Sequence, residues 1–259
     1  MVKKEMKDRT DIEDKNWTNG RVSGTVYCGE TDHISLLNSV FALNSVSNPL
    51  HPDVWPSLSQ YEGEICAMTA NLLHGDKSVV GCVSSGGSES IFLAVKAHRS
   101  YFKYRSYPEI IASTTAHAAL NKACEVLNIH LIQLDPDPIT FRLRPNDVEN
   151  HITSQTIMIY ASAPNYPQGT IDPIEELGYI AKRHDIGLHV DACLGGFVLP
   201  FAKQSGFNIP KFDFEVDGVT SMSCDTHKVC FKTAEVIFVN IKNEMNLLLL
   251  YLIFSILLR

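Results

Sequence analysis

Residues 156–191 read TIMIYASAPNYPQGTIDPIEELGYIAKRHDIGLHVD, two apolar runs flanking an amphipathic stretch. Thr156–Ala161 and Gly187–Asp191 have the length and apolarity of buried strands. Between them Ile174, Leu177 and Ile180 with Ala181 recur at helical spacing over Pro173–His184. Pro173 suits a first helical turn, where its missing N–H leaves no bond unmade. The same alternation extends outward on both sides. Gly81–Val83, Ile110–Ser113, His130–Leu134, Gly218–Ser221 and Glu235–Asn240 read as further strands. Ser88–Tyr104, His117–Leu127 and Pro145–Ile152 read as further helices. Strands alternating with helices predict an α/β domain with a mostly parallel sheet covered on both faces.

Residues 79–242 hold this pattern. Residues 1–78 read as an N-terminal arm: a helix over Ser57–His74 follows the Pro- and Asn-rich stretch Asn48–Pro52, which cannot be helical and is suited to wrapping a neighbouring subunit. Lys3, Lys4 and Lys7, interrupted by Glu5 and Asp8, read as a frayed, solvated end. Residues 243–259 form an apolar tail. Its run Leu247–Leu258 would span roughly 18 Å as a helix, short of the ~30 Å hydrocarbon core of a bilayer.

The 259 residues carry a net charge of −7, without the clustered Lys and Arg of a nucleic-acid-binding surface. The seven scattered cysteines contain no C-x-x-C pair and read as small buried hydrophobes in a reducing compartment. Residues 1–20 lack the apolar stretch of a signal peptide, so the sequence is read as cytoplasmic.

Four segments carry candidate chemistry. Ser84–Ser90 (SSGGSES) opens a helix after a short apolar run. Its glycines let backbone N–H groups approach an anion, and the helix N-terminus adds positive potential; the segment also reads as a glycine turn with Ser88 as the N-cap. Asp191 ends an apolar strand, where α/β proteins hold ligands, and a buried carboxylate needs a cation or donors. A protonated pyridine nitrogen is one such partner; a cap for Leu194–Gly196, or half of a metal site with His189, are others, although no further ligand pair has suitable spacing. Lys228, beside His227 and past a strand, suits an amine whose pKa burial would lower, freeing it to attack an aldehyde, and taken alone it also reads as a surface lysine. His117 heads a helix and could stack on an aromatic ring or simply start that helix. Cradle, ring-stacking histidine, acid and lysine, in that order, form a set suited to pyridoxal 5'-phosphate (PLP) and leave no assigned metal.

The motifs SGTVY (23–27), SNPLHPD (47–53), CVSSGGSES (82–90), AHAALNK (116–122), HVDACLGGF (189–197) and GVTSMSCDTHK (218–228) resemble the sphingosine-1-phosphate lyases of the group II PLP-dependent decarboxylase family. The resemblance implies the large domain of a PLP-dependent transferase-like (fold type I) enzyme. It implies that Gly86, Gly87 and Ser88 hold the PLP phosphate, with His227 nearby. His117 would stack on the ring, Asp191 would pair with the pyridine nitrogen, and Lys228 would carry the cofactor. Tyr27, Asn48 and His51 would reach the active site of a second subunit in a homodimer and, with Tyr166, bind substrate. The implied reaction is retro-aldol cleavage of a phosphorylated sphingoid base to a long-chain aldehyde and phosphoethanolamine. The implied location is the cytosolic face of the endoplasmic reticulum, though no N-terminal anchor is read here.

The chain departs from the family after Lys228. Val229–Ala234 replaces a glycine-containing turn, Lys232 stands nearer Lys228 than the family's lysine, and the apolar tail stands where the family has a C-terminal small domain. The alternatives are a non-catalytic homologue that binds PLP weakly or only dimerises, and an amino-acid decarboxylase sharing the same core.

Overall fold

A computed structural model describes residues 2–22, 24, 29–228 and 240–241. Tyr27, Lys232, the 243–259 tail and all of the expected strand Glu235–Asn240 except Asn240 lie outside them. Four helices come first: α1 (Val2–Glu13), α2 (Lys15–Thr18), α3 (Thr31–Leu43) and α4 (Pro56–Leu72). The alternating part follows as α5 (Gly87–Tyr101), β1 (Glu109–Ser113), α6 (Ala118–Val126), β2 (His130–Leu134), α7 (Pro145–Asn150), β3 (Thr156–Ser162), α8 (Ile174–Arg183), β4 (Gly187–Asp191), α9 (Leu199–Gln204), β5 (Ser221–Ser223) and β6 (Asn240–Ile241).

The strands form one sheet in the order β2-β1-β3-β4-β5-β6; β1 to β5 run parallel and β6 antiparallel. All seven residues of β3 and all five of β4 are buried. That explains their continuous apolar runs, since a central parallel strand is covered on both faces. Alternate residues divide between two layers. Ile111, Ile159, Leu188, Val190 and Met222 pack with Ile174, Leu177 and Ile180 of α8, whereas Ile110, Ala112, Met158 and Tyr160 pack with Ile91 and Val95 of α5 and Leu120 of α6. Helix α8 buries its apolar stripe and sets Glu175 and Glu176 in its first turn and Lys182 and Arg183 in its last, matching the helix dipole.

The register positions the site. Ser162 pairs with Asp191, and Asp191 with Ser223, so β3, β4 and β5 end level. Because β2 lies on one side of β1 and β3 on the other, chain direction across the sheet reverses at β1, leaving a crevice beyond the strands' carboxyl ends.

Three local expectations need correction. Gly81–Val83 is irregular chain rather than a strand; the bridged residue here is Val80 just before it. The strand expected at Gly218–Ser221 lies at Ser221–Ser223. The basic N-terminus is helical, with Lys7–Asp11 and Arg9–Glu5 pairs one turn apart. Helix α3 was not expected, and it buries no residue. The described cysteines Cys66, Cys82, Cys124, Cys193 and Cys224 form no disulfide with one another.

Candidate active site at the strand carboxyl ends

A cavity of about 280 Å³ opens beyond β1, β4 and β5. Gly86, Gly87, Ser88, His117, Asp191, His227 and Lys228 all line it, as do Cys193 and Asp225. Its size is near the lower end of the roughly 300–1,000 Å³ typical of small-molecule pockets, fitting a single substituted ring.

The cradle is the start of α5. Gly86 is the N-cap at φ 151°, a conformation closed to most side chains, and it makes no side-chain cap bond; Ser88 is therefore inside the helix and is not its cap. The N–H groups of Gly87 and Ser88 fall in the first turn, where a helix supplies no acceptor. A Cβ at Gly87 would stand 3.4 Å from both Asp225 Oδ2 and Cys193 Sγ, in ordinary van der Waals contact, and would take up room on the cavity wall. On its outer side the Ser85 N–H donates to Glu89 Oε2 at 2.5 Å.

Asp191 is 8% exposed, yet both of its oxygens are engaged. Oδ1 accepts the Cys193 N–H at 3.0 Å and the Ser223 hydroxyl at 3.4 Å, and Oδ2 accepts the Tyr160 hydroxyl. Burial alone would raise this carboxyl, but the hydrogen bonds from Tyr160 and Cys193 outweigh it and hold it below its ordinary value. His189 is no half of a metal site: its two nitrogens face the Ser221 and Ser223 hydroxyls at 2.8 and 3.3 Å, and burial lowers it to about 3, leaving a neutral imidazole. Asp191 does cap the following turn, through Cys193, while it faces the cavity.

Lys228 departs from expectation. Its Nζ is 2.7 Å from Asp225 Oδ2, and that carboxylate is 1% exposed. Burial presses the amine to lose its proton, but Cys193, Asp225 and Asp191 outweigh it and hold the lysine above its ordinary value. Burial, with Asp191 and Asp225, pushes the Cys193 thiol far up, so sulfur is neutral and the carboxylates are the charges that hold the ammonium. Lys228 in this state is one half of an ion pair, neither a free amine nor a surface lysine. His227 Nε2 lies 3.8 Å from the same carboxylate.

His117 caps α6: its Nδ1 accepts the Ala119 N–H at 3.1 Å, which puts the proton of the neutral ring on Nε2. The ring still lines the cavity and meets Tyr166 edge-on, with centroids 5.9 Å apart. Asn48 and His51 do not line this cavity. Asn48 Oδ1 instead accepts the Leu50 N–H at 3.0 Å in an Asx turn, and His51 is exposed.

Residues 17–255 match the pyridoxal-dependent decarboxylase conserved domain. The chain belongs to the pyridoxal-dependent decarboxylase family. Within it, the chain is 47% identical to sphingosine-1-phosphate lyase of Dictyostelium discoideum over 92% of its own length and 46% of that protein's. It is 40% identical to that of Saccharomyces cerevisiae over 83% and 37% of the two lengths. The chain thus spans less than half of these curated relatives. A solved Burkholderia pseudomallei sphingosine-1-phosphate lyase superposes with a TM-score of 0.90 at 38% identity, covering 94% of this chain and 58% of that one. Lactobacillus brevis glutamate decarboxylase shares the fold at a TM-score of 0.76 and 22% identity, covering 87% and 54% of the two chains.

The residues present fit the cofactor that names the family. The glycine-rich first turn of α5 suits a phosphate, an ionised buried Asp191 suits a ring N–H, and Lys228 would supply the amine. Sequence reasoning named no role for Asp225, Cys193, Tyr160 or Ser223. Asp225 and Cys193 stood inside quoted motifs, where their chemistry could have been weighed. Nothing in the order of residues marks Tyr160.

Proposed function

We propose that the chain is the cofactor-binding part of a PLP-dependent carbon–carbon lyase that cleaves phosphorylated sphingoid bases to a long-chain aldehyde and phosphoethanolamine. The observation that carries this reading is one small cavity bounded by Lys228, Asp191 and the Gly86–Ser88 cradle. In this reading the N–H groups of Gly87 and Ser88, at the turn made by Gly86, hold the PLP phosphate, the His117 ring lies against the pyridine, and Lys228 is the attachment amine. When bound, PLP takes up the electron pair released as the substrate bond breaks. Asp191 keeps the ring nitrogen protonated because its own donors hold it as an anion. Lys228 must first give up a proton, and Asp225, 2.7 Å away, is the nearest base. His227 closes the cavity beside that pair.

The arm, residues 1–78, serves a second copy of the chain in a homodimer, with Tyr27, Asn48 and His51 directed to the partner's substrate phosphate and Tyr166 beside His117. Support comes from an arm that leaves Leu36, Val40, Phe41, Leu43 and Val46 exposed. The substrate is a membrane-partitioning amphiphile, which favours work at the cytosolic face of the endoplasmic reticulum. Likeness to lyases at 40–47% identity, against 22% to a glutamate decarboxylase, favours carbon–carbon cleavage over amino-acid decarboxylation.

The test combines attachment with turnover. Purified protein given PLP should show visible absorbance abolished by borohydride, with the reduced label on Lys228 and none in Lys228→Ala. Given sphingosine phosphate it should release long-chain aldehyde. Carbon dioxide from glutamate or an aromatic amino acid, with no aldehyde from the lipid, overturns the substrate assignment. PLP attachment without any product assigns the chain to a binding role alone.

A further inference from the structure

Tyr160 is the one phenol in the middle of β3, and it is 1% exposed in a layer otherwise built from Ile110, Ala112 and Met158. Its ring lies against His189, with centroids 5.4 Å apart and planes tilted by 35°. Its hydroxyl donates to Asp191 Oδ2, across 31 residues of sequence. A buried hydroxyl is costly unless it finds a partner, and the only hydrogen-bond partner seen for this one, among the described residues, is the carboxylate assigned to the pyridine nitrogen. Tyr160 itself does not line the cavity. It approaches Asp191 from within the sheet, while Cys193 N–H and Ser223 hold the other oxygen.

We propose that Tyr160 is a positioning residue: its hydroxyl clamps Asp191 from behind, fixing the carboxylate as an anion aimed into the cavity before any cofactor arrives. The consequence for PLP rests on the reading of the cavity given above, but the clamp does not. The surrounding charges leave the hydroxyl this task. His189 and His98 are lowered by burial to about 3 and about 4 and stay neutral, and Cys193 is a neutral thiol. Asp172 lies on the Tyr160 side and opposes an anion, and the Lys228 ammonium, drawn by both carboxylates, makes its close pair with Asp225 at 2.7 Å. Donated hydrogen bonds, with Tyr160 foremost, therefore offset the burial of the Asp191 charge.

The experiment is a cycle of Tyr160→Phe, Asp191→Asn and the double variant, first on cofactor-free protein. The Asp191 carboxyl carbon, labelled and followed by NMR, should titrate about one pH unit higher in Tyr160→Phe than in the parent. PLP affinity, measured by equilibrium dialysis at neutral pH, should fall on the order of tenfold in Tyr160→Phe, with no further fall when Asp191→Asn is already present. The acid limb of binding should move upward with the carboxyl. An unmoved Asp191 titration, or an equal loss of affinity in both backgrounds, overturns the clamp and leaves Tyr160 as packing. If the parent binds no PLP while the Asp191 titration still moves, the clamp stands and the cofactor reading fails.

Discussion

Buried titratable groups of this chain store pH dependence as well as chemistry. His98, bonded to Thr220 at 3.0 Å, and His189 are held neutral in the fold with values near 4 and 3, whereas an unfolded histidine titrates near ~6.5. Both folded values are depressed, so between these limits the unfolded chain binds protons that the native chain refuses. Their contribution is whole above about pH 6.5 and is lost as pH falls below it, at about 2.7 kcal/mol per pH unit for two protons. Urea midpoints should therefore drop steeply from pH 6.5 downward, and a variant lacking His98 should roughly halve the slope. A flat midpoint over that range would contradict the buried neutral pair. Beside the cavity, Asp225→Asn removes the carboxylate next to Lys228 and should lower the lysine's pKa. Acylation of Lys228 by an amine reagent at neutral pH should then accelerate; an unchanged rate means the ion pair does not govern this amine.

Helix α8 and the approach to β5 meet through two glycines. Gly218 has φ 135°, and a Cβ there would stand 2.2 Å from the Gly178 carbonyl oxygen, while one at Gly178 would reach within 2.7 Å of Val216. Backbone, unlike the end of a flexible side chain, cannot give way cheaply. Gly218→Ala should cost about 3 kcal/mol or more, read as a lower urea midpoint with unchanged m-value. It should also loosen PLP binding, because the 218–228 segment carries Lys228 and Asp225 into the cavity. Leu177→Ala on the same helix deletes a fully buried side chain and should cost about 2–5 kcal/mol. Since Leu177 packs on the sheet face away from Asp191, its loss should lower stability more than cofactor affinity at low temperature.

The molecule as a whole has a dense α/β core, against which α4 packs through Ile65 and Cys66. Helix α3 has no fully buried residue; Ile34 and Leu37 are half-buried, and Phe41 and Leu43 are 75% and 82% exposed. Leu73, by contrast, is fully buried where α4 meets the body, and the adjacent His74 bonds Asp213 at 2.8 Å. His74, Asp213 and Glu215 are grouped closely enough to suggest a metal, but Lys203 lies 3.0 Å from Glu215 and supplies the cation. Among the described residues no helix is long and apolar enough to cross a membrane. A second copy covering the arm predicts a dimer in sedimentation. Phe41→Asp should weaken that dimer at least tenfold while leaving the thermal transition of the body in place. A chain that sediments as a monomer at all accessible concentrations removes the partner from the proposed site.

Order along the chain was enough to reveal the alternating architecture. The bounds of β2 and β4 were legible to the residue, although only β4 is buried throughout; in β2, an edge strand, Leu134 alone is buried. The seven residues expected at the cofactor share one cavity because each sits in a local signal: a glycine turn, a helix start, a strand end. Sequence could not distinguish an apolar run that becomes a strand from one, like Gly81–Val83, that is irregular among the described residues, nor foresee α3, which has no fully buried residue. Nor could it assign the charge state of Lys228, which depends on Asp225 and Asp191 through space, or the bond from Tyr160 to Asp191. Propensity and pattern act over a few neighbouring residues, whereas hydrogen bonds and fields act over a few ångströms, and those distances exist only once the sheet has set its register.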